Sequence, residues 1–520
     1  MTVFSYHDRT KHRLEQFAAG PETLDWTQQP DPFRKFSGAP LTLLPLSAEK
    51  LATRFSEIYG KAAVQPPSME SVSVLLQLSM GISAWKEYGP DRWALRCNPS
   101  SGNLHPTECY VISLNVAGVE SGLYHYSSLD HALEKRCSIP WQGSVKLFIG
   151  LSSIHWREAW KYGERAFRYC QLDIGHALGA LRYAAGALGW RIDMVDSLSP
   201  EMEQLLGLDR ADDFAGAEAE EADLFLEASF DSARGHAPAI PSLEMGDWAG
   251  RANLLDPHPM YRWPIIDEVS MATRKTFSLP APGKAVKPAG SSHSKDADAA
   301  GLMLGRRSAQ HFDPSFEMKQ DDFFPMVERL AGQRVPWDIW HFEPRVHPVF
   351  FVHRVEGMTP GLYVMPRSDA AKAMLKEEFR HDFLWEKAGP DLLPLYLLSK
   401  GDFRAVAKTV SCRQAIASNS CFSLGMLAEF EKTVRQDPWR YRQLHWEAGL
   451  LGHVLYLEAE AAGLRGTGIG CFFDDAFHEL LGLSGKSFQS VYHFTVGMPL
   501  EDARISTLPP YPQRDFLEGT

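Results

Sequence analysis

The chain has 520 residues, 44% hydrophobic and 23% charged, a composition that excludes wholly disordered, collagenous or coiled-coil chains and leaves room for two to four domains. Its formal net charge of −12 gives no broad electrostatic footing for nucleic acid or anionic lipid, so any bound phosphate must be held by a few placed basic groups. Seven cysteines (97, 109, 137, 170, 412, 421 and 471) are too dilute for a disulfide scaffold, and with a polar N-terminus and no apolar run near 20 residues they predict a soluble, reduced, cytoplasmic protein.

In chain order, residues 1–48, rich in Pro and aromatic side chains, read as an extension wrapped on the first domain. An apolar-periodic helix is predicted over Ser71–Met80, then a turn-forming Pro-Ser-Ser-Gly-Asn run and a β-rich stretch at Cys109–Leu114. A strand containing Gly122-Leu-Tyr124 and a second β-rich stretch, Val145–Leu151, precede a long helix over Arg168–Gly189. That helix carries apolar or small residues around most of its surface, the mark of a buried core helix. Gly175, Gly179 and Gly186 predict that another backbone approaches it closely. Residues 279–297 combine Pro, Gly, Ser and Lys as flexible linkers do. Beyond them come a helix at Asp321–Leu330, a β-rich run at Val349–Val352, and a second long helix over Arg442–Gly463.

The two long helices match each other. Arg168 aligns with Arg442, Asp173 with Glu447, Gly175 with Gly449, and Gly189 with Gly463. Downstream, Glu203–Leu208 (EQLLGL) aligns with His478–Leu483 (HELLGL). Upstream, His105-Pro106 and Gly122-Leu-Tyr124 find partners in His347-Pro348 and Gly361-Leu-Tyr363. Matches in one order, with spacing that changes only between blocks, indicate duplication. The boundaries predicted are an N-terminal extension (1–48), a first α+β domain (49–232), a linker region (233–300) and a second domain (301–520).

Four segments carry a family resemblance. Arg96-Cys-Asn-Pro-Ser-Ser-Gly-Asn-Leu-His-Pro-Thr-Glu108 resembles the R-x-x-P-S-x-G-x-x-x-P-x-E signature of the FMN-dependent nitroreductase superfamily, and with Lys161–Ala180 is similar to the SagB-type, azoline-oxidising dehydrogenases. Gly305–Asp313 resembles the R-R-S-x-R-x-F opening of the superfamily, with Gln310 at the fifth position where Arg is usual. Gly463–Asp475 with His493–Pro499 resembles its glycine-rich C-terminal signature. The resemblance implies two tandem nitroreductase-like domains that form an intramolecular pseudo-dimer.

FMN offers a phosphate dianion, a polyhydroxyl chain and a planar ring. Arg306 and Arg307 supply forked cations for the phosphate, with Arg504 as a further contact. Ser308, Ser100, Ser101 and Asn103, next to Pro99, suit the ribityl hydroxyls or ring edge. Gly466, Gly468 and Gly470, flanking Ile469, clear the way for backbone N–H groups to approach the ring. Each half lacks what the other has: the first has no Arg-Arg-Ser and no glycine-rich strand, and the second has HFEPRVHP (341–348) in place of the serine turn. One complete composite site, hence one FMN per chain, is expected.

By the same resemblance, Lys161 and Tyr162 match the pair that azoline dehydrogenases use to abstract a proton. A Lys in a dry pocket beside Arg165 and Arg168 would have its charged form disfavoured. Arg435-Gln436 stand at the corresponding positions of the second half. The packing alternative, a solvated helix start and an aromatic, stays open. So do three functions: a SagB-like dehydrogenase acting on a small-molecule or peptide-derived substrate, an NAD(P)H-dependent nitro or quinone reductase, and a degenerate flavin-binding scaffold for a partner enzyme. The expected assembly is a monomeric pseudo-dimer or a homodimer. No metal site is expected: His105, Glu108 and His125 fit no standard ligand spacing. Asp474-Asp475 read as a helix cap and first-turn charge, His176 as a core histidine, and Cys471 as a small buried apolar residue.

Overall fold

Two seven-stranded antiparallel sheets express the duplication in a computed structural model that describes residues 2–230, 240–278, 296–332 and 334–514. The first sheet runs, edge to edge, Leu41–Leu43, Ala132–Ser138, Gly122–Ser127, Thr107–Leu114, Lys146–Ser153, Glu221–Ser229 and Arg191–Met194. The second repeats that path as Glu386–Ala388, Leu395–Lys400, Gly361–Val364, Val346–Val352, Phe422–Glu429, Phe488–Gly497 and Arg465–Ile469. The two GLY segments occupy equivalent strands, as the alignment of the halves requires.

The long helices, Ala166–Ala187 and Arg440–Ala461, pack on each other at the centre of the molecule. Every residue of the first is buried, which is why its sequence shows no polar face. They cross at their paired glycines. A β-carbon on Gly175 would collide with the Trp446 carbonyl oxygen, and one on Gly449 would collide with that of Leu172 and lie 2.9 Å from the Gly175 Cα. Backbone meets backbone there, so only glycine fits at either position.

Ion pairs also cross between the halves. Arg165 and Arg168 reach Asp474 at 3.0 and 2.9 Å, and Arg442 reaches Asp223 at 2.8 Å and also Glu221. Asp474 is therefore a buried partner of two guanidiniums and not a cap: Phe473 holds the N-cap position, and Asp475 pairs with Lys11 and Arg13. Despite burial, the two arginines hold the Asp474 carboxyl down at about 2.

Packing adds three features to the sequence reading. The N-terminal extension supplies an edge strand, Leu41–Leu43, to the first sheet, and its Phe36–Ser37 pairs with Arg251–Ala252. The described part of the presumed linker region is integral: helix Pro264–Ala272 buries Ile265, Ile266 and Val269, and Ser270 accepts from Arg442. The flexible composition at 279–297 falls almost wholly outside the described residues. A hairpin absent from the sequence reading, Ile82–Tyr88 with Asp91–Arg96, is joined by Ser506–Leu508 from the far end of the chain. No helix among the described residues is long and apolar enough to cross a membrane.

Candidate functional site

A cleft of about 420 Å³ opens where the halves meet. From the first half it is lined by Pro99, Ser100, Ser101 and Asn103, by Tyr162, and by Tyr169, Asp173 and His176 of the core helix. From the second come Arg306, Arg307, Ser308 and Gln310, then Gly468, Ile469 and Gly470, with Tyr456 and Tyr492. Two groups of residues separated by some 200 positions in the sequence thus share one cavity, and a pocket of this size suits a cofactor-sized ligand.

Arg306 follows the helix Ala299–Gly305 and crosses to the first half. Its Nε donates to the Cys97 carbonyl and Nη2 to that of Arg96, each at 3.0 Å. Its guanidinium lies 5.0 Å from the centre of the Tyr456 ring. Nη1 is buried without a hydrogen-bond partner, an uncompensated donor that an anionic ligand would satisfy. Arg307 is anchored on Ser83 and on the Leu304 and Arg306 carbonyls, and burial beside Arg306 lowers it to about 10. Gln310 is exposed at the rim. Arg504 does not line the cleft: it is exposed, paired with Asp502, and its guanidinium lies 5.5 Å from the Tyr88 ring centre. The local Asp-x-Arg spacing, with Asp502 two residues away, captures it.

The Pro99–Asn103 turn is held from several sides. Ser101 N–H and Oγ–H donate to Asp173 (3.1 and 3.0 Å), His105 N–H donates to Ser100 Oγ (2.8 Å), and Asn103 Nδ2 donates to the Ala94 carbonyl (2.9 Å). These side chains build the turn, leaving Asn103 Oδ1 without an intramolecular donor. Gly102 has φ of 60°, and a β-carbon there would strike the Tyr162 hydroxyl and lie 3.1 Å from Lys161 Nζ. Lys161 and Tyr162 therefore sit directly against the turn.

The glycines of Arg465–Ile469 answer a different demand from the one anticipated. β-Carbons at 466, 468 and 470 would run into Phe494, Tyr492 and Tyr169 respectively. Aromatic side chains of the protein, not a ligand, fill the space the glycines clear. Gly468 N–H is already committed to the Tyr456 hydroxyl (3.0 Å), which also meets Ser308 Oγ at 2.8 Å, and Gly466 does not line the cleft. His176 donates to or accepts from the Tyr492 hydroxyl at 2.9 Å, and burial lowers its pKa to about 3. It faces the cleft and is not merely a core residue.

Burial lowers the Lys161 ammonium from its ordinary value, with nearby Glu158 opposing the shift. The expected neighbours, Arg165 and Arg168, are instead turned to Asp474. Lys161 lies 5.0 Å from the centre of the Trp26 ring, a residue of the N-terminal extension. Asp173 stands out in the sequence only as a repeat position. In the structure it is a buried wall of the cleft, and burial raises it to about 7 against the hydrogen bonds of Ser100 and Ser101. Its interval from Ser101 in the chain gives no signal.

Cys412 and Cys471 form a disulfide (Cα–Cα 5.9 Å), against the expectation that all thiols are free and that Cys471 is a simple apolar filler. Cys471 lines the cleft, and Gln414 Nε2 donates to its carbonyl. His125 lies between Glu108 and Glu134, with Arg157 on Glu108, and is raised to about 9: an ion-paired network joining the first sheet to the helix His155–Tyr162. Among the described residues no group of three His, Cys, Asp or Glu side chains is arranged as metal ligands.

In the other half the position equivalent to Asp173 is held by protein partners. Glu447, the counterpart of Asp173, accepts from the backbone of Arg345 and Val346 and is ion-paired with buried Arg367, whose guanidinium lies 4.2 Å from the Trp337 ring centre. Arg435 turns outward to Glu431.

Antiparallel sheets flanking two crossed core helices, with a cleft at the junction of two like halves, define a tandem α+β architecture of the nitroreductase class. Residues 362–498 match the nitroreductase family, so the chain carries a nitroreductase-family domain. The trifolitoxin-processing protein TfxB of Rhizobium leguminosarum bv. trifolii is 29% identical over 194 residues, 32% of this chain and 51% of that protein. MJ1384 of Methanocaldococcus jannaschii, named after the nitroreductases, is 26% identical over 137 residues, 24% of this chain and 66% of its own length. The chain thus spans about half the length of the first of these relatives and just under two thirds of the second. A crystal structure of a protein from Anabaena variabilis, also named after the nitroreductases, superposes over 96% of this chain and 99% of its own with a TM-score of 0.69 at 20% identity. The nitroreductase fold therefore extends across both halves.

Proposed function

We propose that this protein is an FMN-dependent oxidoreductase of SagB-like type that binds one FMN per chain in the composite cleft. The observation that carries this reading is the buried, unpartnered Arg306 Nη1, set in a cavity whose walls come from both halves. Arg306 and Arg307 would hold the phosphate, and Ser100, Asn103 and Ser308 the ribityl chain. When bound, FMN supplies a hydride acceptor or donor, and the protein supplies orientation and proton handling. Tyr169, Tyr456 and Tyr492 exclude water from the cleft wall. Lys161, with its charged form disfavoured, and the Tyr162 hydroxyl stand against the serine turn, where they would hold or move a proton on the substrate.

The relative named for trifolitoxin processing supports a peptide-derived substrate over a free nitroaromatic. The Arg367 ion pair on Glu447, at the position equivalent to Asp173, supports one site. Flavin content of the purified chain after FMN loading tests the reading: an FMN-to-chain ratio near one is expected. A ratio near two, or failure to bind FMN at all, would overturn it.

A further inference from the structure

Two carboxyl groups beneath the cleft have no cation in ion-pair contact with them. Asp173 is 1% exposed and receives only the hydrogen bonds of the serine turn. Glu158, on the helix His155–Tyr162, is fully buried, and neither of its oxygens has a hydrogen-bond partner. The repeat supplies an internal control. Glu447 takes the same position as Asp173 and likewise grips its own half's turn through backbone N–H groups, but it has an ion-paired partner, Arg367, that opposes the upward push of burial. The carboxyl facing the cleft is the one left without a counter-ion.

The groups that face Asp173 are nearly all acids or neutral. The serine turn brings no charge. The helix His155–Tyr162 brings Glu158 and Tyr162, its own helix Cys170, and the strand Phe488–Gly497 brings Tyr492. Lys161 acts on Glu158, and Arg306 and His176 stand elsewhere in the same cleft. Two like carboxylates in one low-dielectric site do not both ionise readily. Burial, reinforced by Asp173, raises Glu158 well above the ordinary range, while the hydrogen bonds from Ser100 and Ser101 limit the rise of Asp173 to about 7.

We infer that Asp173 and Glu158 are a proton-exchanging carboxyl pair: Asp173 exchanges with whatever occupies the cleft, and Glu158 retains the second proton beneath Lys161 and Tyr162. When a bound X–H group gives up its proton, the X–H bond breaks with its electron pair left on X, and an O–H bond forms on Asp173. The return step reverses both changes, and no electrons are exchanged by the carboxyls. The catalytic use of the pair rests on the oxidoreductase reading, whereas its titration does not.

Infrared titration of the carboxyl stretch in the full chain, with and without FMN, tests this. A protonated-carboxyl band should titrate with a midpoint of about 7 and vanish in Asp173→Asn, an isosteric change that still accepts from Ser101. A second band should persist at higher pH and vanish in Glu158→Gln. Ser101→Ala removes a donor to the ionised form and should move the first midpoint up by about one pH unit. Absence of any carboxyl titrating near neutrality, or its survival in Asp173→Asn, would overturn the inference. A chain that binds FMN but shows no such band refutes the pair alone. One that shows the band but binds no flavin refutes the proposed function alone.

Discussion

Gly468 lies on the strand Arg465–Ile469 with its missing side chain aimed at Tyr492. A β-carbon built there overlaps the Tyr492 hydroxyl and lies 2.7 Å from Cζ. The ring has little room to retreat, because its hydroxyl is bonded to His176 at 2.9 Å and both rings press on Gly452, whose own β-carbon would meet them at 2.7 and 3.0 Å. Overpacking of this kind costs about 1–3 kcal/mol. Loss of the hydroxyl–imidazole hydrogen bond adds about 1 kcal/mol. Relief of glycine's backbone entropy returns roughly 0.5–1 kcal/mol. Gly468→Ala should therefore destabilise the chain by about 1–3.5 kcal/mol, read as a lower urea midpoint with unchanged slope. In the Gly468→Ala background, Tyr492→Phe removes the overlapping atom and should recover about 1 kcal/mol relative to the sum of the single changes. If Gly468 existed only to admit a ligand, alanine would leave the urea midpoint untouched and weaken FMN binding alone. That result would refute the packing argument.

Gly175→Ala places a methyl against the Trp446 carbonyl, where only separation of the core helices makes room. A loss of at least about 3 kcal/mol in calorimetric unfolding is expected, exceeding the ~1 kcal/mol that alanine gains in an unhindered helix. Asp474 is held below its unfolded value, so it stabilises the fold above about pH 4 and loses that contribution as pH falls toward about 2. Asp474→Asn should flatten the acid limb of stability between those values and, by leaving Arg165 and Arg168 unpaired, cost roughly 3–5 kcal/mol at neutrality. In fluorescence titrations, Arg306→Ala should weaken FMN binding by about 10–100-fold with little effect on riboflavin, if the lost donor serves the phosphate as proposed. Arg504→Ala should bind FMN as the unchanged chain does, because Arg504 is already held by Asp502 outside the cleft.

Much of the architecture was legible in the sequence. The paired blocks around Gly175 and Gly449 predicted two like halves, and the all-round apolar pattern of the two long helices predicted that they would be buried against close backbone. Those signals are local or periodic, and a duplication preserves them in order. Arg306, the serine turn and the glycine strand were also identifiable, because each motif is a contiguous run.

What the residues do inside those runs was decided by the tertiary structure. The strand glycines admit Phe494, Tyr492 and Tyr169, and Ser101 and Asn103 spend donors on Asp173 of the core helix and on the Ala94 carbonyl. Arg504 was lost to a neighbour two residues away, while Asp474 and Cys471 acquired partners from distant segments. Asp173 was visible only as a repeat position, and nothing in the sequence linked it to Glu158. Its character depends on burial and on which cations fail to reach it, and both are properties of packing in three dimensions. Sequence alone determined the halves and the motifs. The assembled fold decided which side chains remain free at their junction, because desolvation and hydrogen-bond commitment exist only once the distant partners are in place.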